Sequence, residues 1–175
     1  MRARILLGAI VSLAVIGLLV APSLATPGGT FKADPTGYEE VPAVSTDASG
    51  TFRAKVDPAG PTIEYELSYS DIQNAFAAHI HLGQAGVNGG VSAFLCGGGD
   101  KPVCPATGGT VSGSIDAADV IGPESQGIAP GEIEELIDAM IAGATYANVH
   151  TTDGVPPANT GPGDFPGGEI RGQIS

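Results

Sequence analysis

Three histidines are the residues of this chain best suited to bind a metal or move a proton. Two of them stand one residue apart in Ala77-Ala78-His79-Ile80-His81-Leu82-Gly83. Successive side chains of a β-strand point to opposite faces, so His79 and His81 share a face and Ile80 takes the other. Phe76, Ala78, Ile80 and Leu82 are expected to form the apolar face. The third histidine, His150, closes the strand-like run Tyr146-Ala147-Asn148-Val149-His150, with Asn148 on its face. Same-face residues two apart lie about 7 Å apart along a strand, near enough for both rings to reach one ion. Three imidazoles suit zinc or copper(II) and leave a position for water or a carboxylate. Glu169 is the carboxylate candidate, because it alternates away from Ile170. The competing reading is that the histidines bind nothing and hold neighbouring strands together through hydrogen bonds.

Other catalytic constellations are missing from the sequence. Gly97-Gly98-Gly99 lacks the lysine and the helix that a phosphate loop needs, and no serine sits in a nucleophile elbow. Glu39-Glu40 and the paired glutamates near residue 134 have the spacing of solvated groups. An enzyme built on the histidines would need an open coordination position and a base, for which Glu169, Asp153 and Asp164 are the candidates.

What must position these residues begins after a leader. Met1-Arg2-Ala3-Arg4 is cationic, Ile5 to Val20 carries no charge, and Pro22 then precedes Ser23-Leu24-Ala25. That is the layout of a secretory signal over residues 1–25, with cleavage after Ala25. The alternative is an uncleaved anchor, the apolar run being slightly shorter than the ~17–25 residues of a membrane span. Residues 26–175 remain as one domain. The formal charge is −12, and −14 once Arg2 and Arg4 leave with the signal. Such a surface repels nucleic acid and anionic membranes, so neither is expected as a partner. A metal ion or an extracellular protein is.

Cys96 and Cys104 are the only cysteines, and in an exported chain an even count indicates a disulfide. A thiolate metal pair is the rival reading, but its spacing is wider than zinc cysteines usually show.

The mature chain reads as short strands separated by Gly, Pro and Asp. Expected strands cover residues 29–33, 49–56, 62–70, 76–82, 91–96, 110–115, 145–150 and 169–174. The clearest alternation sets Ile63, Tyr65, Leu67 and Tyr69 against Glu64, Glu66 and Ser68. One segment departs from it. Ile133, Leu136, Ile137, Met140 and Ile141 fall at helical spacing between Pro130 and Gly143, behind Glu132, Glu134 and Glu135. The fold class is therefore mainly β: one Greek-key sandwich or barrel of about eight short antiparallel strands with one amphipathic helix. The Pro- and Gly-rich stretch from Thr151 to Pro166 is an unusually long irregular loop directly after His150.

Taken in order, five stretches resemble the motifs of CHRD domains, the module first noted in chordin. Tyr38-Glu39-Glu40-Val41-Pro42-Ala43-Val44-Ser45-Thr46 is similar to their opening, and Ala78-His79-Ile80-His81-Leu82-Gly83 to their central histidine motif. Phe94-Leu95-Cys96-Gly97-Gly98-Gly99, Tyr146-Ala147-Asn148-Val149-His150-Thr151 and Pro166-Gly167-Gly168-Glu169-Ile170-Arg171-Gly172-Gln173-Ile174 resemble the motifs that follow. The long loop after His150 departs from the family's short link. The resemblance implies a secreted or periplasmic β module, non-catalytic, serving binding or structure. A more local similarity, a His-Xaa-His strand in a Greek-key barrel with a disulfide-tethered loop downstream, is to copper/zinc superoxide dismutase. It implies the alternative, a metal-dependent redox or hydrolytic enzyme, although no histidines remain to build that enzyme's zinc site.

Overall fold

The computed structural model describes residues 28–57 and 59–175. The expected leader, residues 1–25, lies outside the described residues. Eight strands follow in chain order: β1 (Gly29–Ala33), β2 (Ser49–Asp57), β3 (Thr62–Ser70), β4 (Ala75–Leu82), β5 (Gly90–Cys96), β6 (Gly109–Ile115), β7 (Thr145–Thr151) and β8 (Ile170–Gln173). They form two antiparallel four-stranded sheets, ordered β1-β2-β3-β6 and β5-β4-β7-β8. The chain leaves β4 and β5, crosses to β6, and returns by a long connection to lay β7 against β4, which is the Greek-key return. One side of the sandwich is stitched shut by backbone hydrogen bonds. Thr36 and Arg171 exchange bonds of 2.9 and 3.1 Å, and Lys32 and Ser175 exchange two of 3.0 Å.

Alternation fills the space between the sheets. β2 contributes Phe52, Ala54 and Val56, and β3 contributes Ile63, Tyr65, Leu67 and Tyr69, all buried. From the opposite sheet come Ile80, Ala147, Val149 and Ile170, each fully buried. Burying one such large aliphatic side chain contributes about 1.5–3 kcal/mol, so this two-period pattern is the main force that fixes which face of each strand looks inward.

The one α-helix among the described residues, α1 (Ile133–Ile141), buries Ile133, Leu136, Ile137 and Met140. Ile141, expected in the same stripe, is half-exposed at the helix end. Gly143 terminates the helix at φ +65°. Its N–H reaches the Met140 carbonyl and the Ala144 N–H reaches that of Ala139, the paired bonds of a Schellman cap.

Cys96 and Cys104 are joined in a disulfide. It ties the end of β5 to a loop that Lys101 anchors, its ammonium 2.7 Å from Asp100 and 2.6 Å from Asp119. Phe76 corrects the expected apolar face of β4. The ladder slips between Ala75 and Ala77, and this irregularity turns Phe76 out of the core. It is 45% exposed, with its ring 6.2 Å from that of His150. From Ala78 onward the expected alternation holds.

Candidate metal centre on the outer face of a sheet

β4 and β7 are neighbours, and their register sets His79 opposite Asn148, His81 opposite Tyr146 and Ala77 opposite His150. Because Ile80 and Val149 take the core side, all three imidazoles stand on the outer face of the β5-β4-β7-β8 sheet. An outer face would normally be wet. Here loops cover it, and His79, His81 and His150 are 9, 7 and 8% exposed. One nitrogen from each ring lies within 4.8 Å of the others.

The contacts of the outward nitrogens fix the tautomers. His81 Nδ1 is 3.1 Å from the Gly89 carbonyl and His150 Nδ1 is 3.0 Å from the Pro166 carbonyl. A carbonyl only accepts, so in both rings Nδ1 carries the proton and Nε2 presents a lone pair. His79 Nδ1 then donates to His150 Nε2 at 2.9 Å. His81 Nε2 is buried with no hydrogen-bond partner. Backbone carbonyls that hold the far nitrogen of a histidine are the usual device for aiming the near one at a metal.

Aromatic packing clamps the rings. His81 is stacked on Tyr146, with centroids 4.7 Å apart and planes 6° from parallel. The Arg171 guanidinium sits 3.5 Å from the Tyr146 ring centroid, a cation–π contact. Phe94 meets His79 edge-on at 4.5 Å. Arg171 is itself 1% exposed and donates to the carbonyls of Gln84 and Val87, which holds the 83–89 loop against the site. Gly89 is required there, because a Cβ would run into the Leu82 carbonyl.

Burial keeps the imidazoles neutral. It pulls His79 down to about 3, helped by the charges that His150 and His81 would carry. It pulls His81 down to about 4, and Arg171 contributes to that. His150 is lowered by burial as well, against the opposing Pro166 hydrogen bond. At neutral pH the centre holds three uncharged imidazoles, the protonation state that a metal requires.

The acidic residues fall elsewhere. The Glu169 carboxylate accepts from Thr46 Oγ1, Thr151 Oγ1 and the Gly163 N–H, at 2.7, 2.7 and 2.8 Å. It is not brought into the histidine group. It pins the long loop to β7, and that loop delivers the Pro166 carbonyl to His150. Asp164 closes the loop on itself by accepting from the Thr160 N–H and hydroxyl. Asp153 accepts from the Val155 N–H at an exposed turn. Sequence reasoning missed Glu40. Expected to be solvated with Glu39, it is 7% exposed and accepts from Asn148 Nδ2. Burial raises its pKa to about 7, against the lowering effect of Arg171. Gly168, at φ +132°, makes room for it: a side chain there would strike Glu40 and Asn148. The sequence signal was Glu40 in the opening motif and Gly168 in the closing one.

A two-sheet Greek-key sandwich with three neutral imidazoles converging beneath loops on one outer face is an all-β module carrying a candidate metal centre. The chain belongs to the CHRD-domain family, whose family model matches residues 31–174. No curated protein and no solved structure matches it.

Proposed function

We propose that this chain is an exported, non-catalytic CHRD-domain module that binds one zinc or copper ion through His79, His81 and His150. The observation that carries the reading is the convergence of three neutral imidazole nitrogens within 4.8 Å, one of them buried without a partner. A buried polar atom without a partner costs about 1–3 kcal/mol, and an ion at the convergence point removes that cost. To bind there, His79 would move its proton from Nδ1 to Nε2, exchanging the bond to His150 for coordination. The disulfide supports an oxidising compartment. Among the described residues, no helix is long and apolar enough to cross a membrane.

Non-catalytic binding is favoured over the redox or hydrolytic alternative by the acids. Glu169, Asp164 and Asp153 are each engaged in holding loops, so none of the base candidates is presented to the histidines.

The test is calorimetric titration of the mature protein with zinc(II) and copper(II), repeated with His150→Ala. One equivalent is expected to bind, with affinity falling at least 100-fold in the variant. Equal binding by both proteins would overturn the three-histidine site.

A further inference from the structure

On the histidine face a second buried atom is left without a partner: Asn148 Oδ1. Asn148 is 2% exposed and lies opposite His79 in the β4–β7 register, two residues before His150. Its amide is held from one side only. Nδ2 donates to Glu40 and, at 3.4 Å, to the Ile170 carbonyl. Ile170 opens β8, on the far side of β7 from β4. Because the amide is planar, turning Nδ2 toward β8 turns Oδ1 away from it, toward the strand that carries His79 and His81. The orientation is not free to reverse, since a reversed amide would set Oδ1 against the Glu40 and Ile170 oxygens.

On β4 and β7, the strands that carry the histidines, His81 Nε2 and Asn148 Oδ1 are outward-facing buried lone pairs lacking a donor or an ion. They belong to different chemistries. An imidazole nitrogen serves the ion directly. A carboxamide oxygen beside a three-nitrogen site serves a hydrogen-bond donor, and water bound to an ion supplies one. We propose that the fourth ligand of the metal centre is a water molecule that donates a hydrogen bond to Asn148 Oδ1, with Glu40 as the positioning residue that sets the Asn148 amide. This rests on the three-histidine reading and completes its coordination shell. Zinc and copper(II) both take water beside three imidazoles. A buried pocket leaves such a water only the donors and acceptors built into the wall.

The arrangement explains why the family's opening and closing motifs meet at this point. Glu40 and Gly168 lie outside the strands, yet a side chain at position 168 would displace both Glu40 and Asn148. Glu40 Oε1 faces the amide nitrogen and so imposes one orientation on a side chain that otherwise has two.

The test uses copper(II)-loaded mature protein and pulsed electron paramagnetic resonance in D2O. Wild type is expected to show imidazole nitrogen couplings together with exchangeable deuterons of one bound water. Asn148→Leu should keep the nitrogen couplings and lose or shift the deuteron signal. Glu40→Leu, which leaves the amide held only by its longer bond to the Ile170 carbonyl, should broaden the deuteron coupling without altering the nitrogens. Nitrogen couplings without exchangeable deuterons in wild type would overturn the water while leaving the three-histidine site standing. Deuteron couplings identical in wild type and Asn148→Leu would overturn Asn148 Oδ1 as the acceptor of that water. Absence of histidine nitrogen couplings in wild type would instead overturn the site itself.

Discussion

Acidifying the metal-free protein is expected to destabilise it through its histidines, and the size of the effect follows from their burial. In the unfolded chain an imidazole takes up a proton near pH 6.5; in the fold His79 and His81 resist until about 3 and 4. Between those limits the unfolded state binds more protons, so stability falls as pH falls. Going from pH 6.5 to 5, each histidine costs about 1.6 kcal/mol, or about 3.3 kcal/mol for the two. Glu40 acts in the opposite sense. Its pKa is raised to about 7 in the fold, so the stability it adds is present below its unfolded value and lost as pH rises through 7. Over the same interval it returns about 1.7 kcal/mol. The net loss is then about 1.5 kcal/mol, and His150, also lowered by burial, adds to it in the same direction. The assay is urea unfolding of chelator-treated protein at half-unit steps from pH 7 to 4.5. Glu40→Gln removes the opposing contribution and should steepen the fall. Stability that is flat or rising between pH 6.5 and 5 would refute the claim that the three rings are held neutral by burial.

Two further outcomes are expected. Mass spectrometry of the exported protein should find residues 1–25 absent and Cys96 linked to Cys104, while Cys96→Ser with Cys104→Ser should lower stability by about 2–3 kcal/mol, the amount a closed loop this short confers. Gly168→Ala should cost more than about 1 kcal/mol in denaturant unfolding, because it forces an L side chain into a left-handed backbone and against Glu40.

Much of this architecture was legible because its driving force is periodic. Two-residue alternation placed Ile63, Tyr65, Leu67 and Tyr69 in the core and separated His79 and His81 from Ile80. Three-to-four-residue spacing found α1, and only its last turn differed, where Ile141 has no core left to reach. Phe76 was misplaced because the slip between Ala75 and Ala77 is a backbone irregularity, and no side-chain pattern encodes it. The acids were misread for a related reason. A carboxylate's role depends on which backbone N–H and hydroxyl groups the tertiary fold brings to it. Nothing local to Glu169 announces Thr46, 123 residues away. Nor does anything beside Glu40 announce Asn148, at a separation of 108.

The stacking of Tyr146 on His81 has an optical consequence. The chain contains no tryptophan and four tyrosines, so its ultraviolet emission is tyrosine emission undiluted by indole. Tyr38 points into solvent, and the hydroxyls of Tyr65 and Tyr69 bond to carbonyls on other loops and strands, those of Leu95 and Pro105. Tyr146 alone lies face to face with an imidazole of the centre, 4.7 Å away. A paramagnetic ion arriving at His81 Nε2 is within quenching range of that one ring, so the protein carries its own fluorophore for the site and occupancy can be followed without a label.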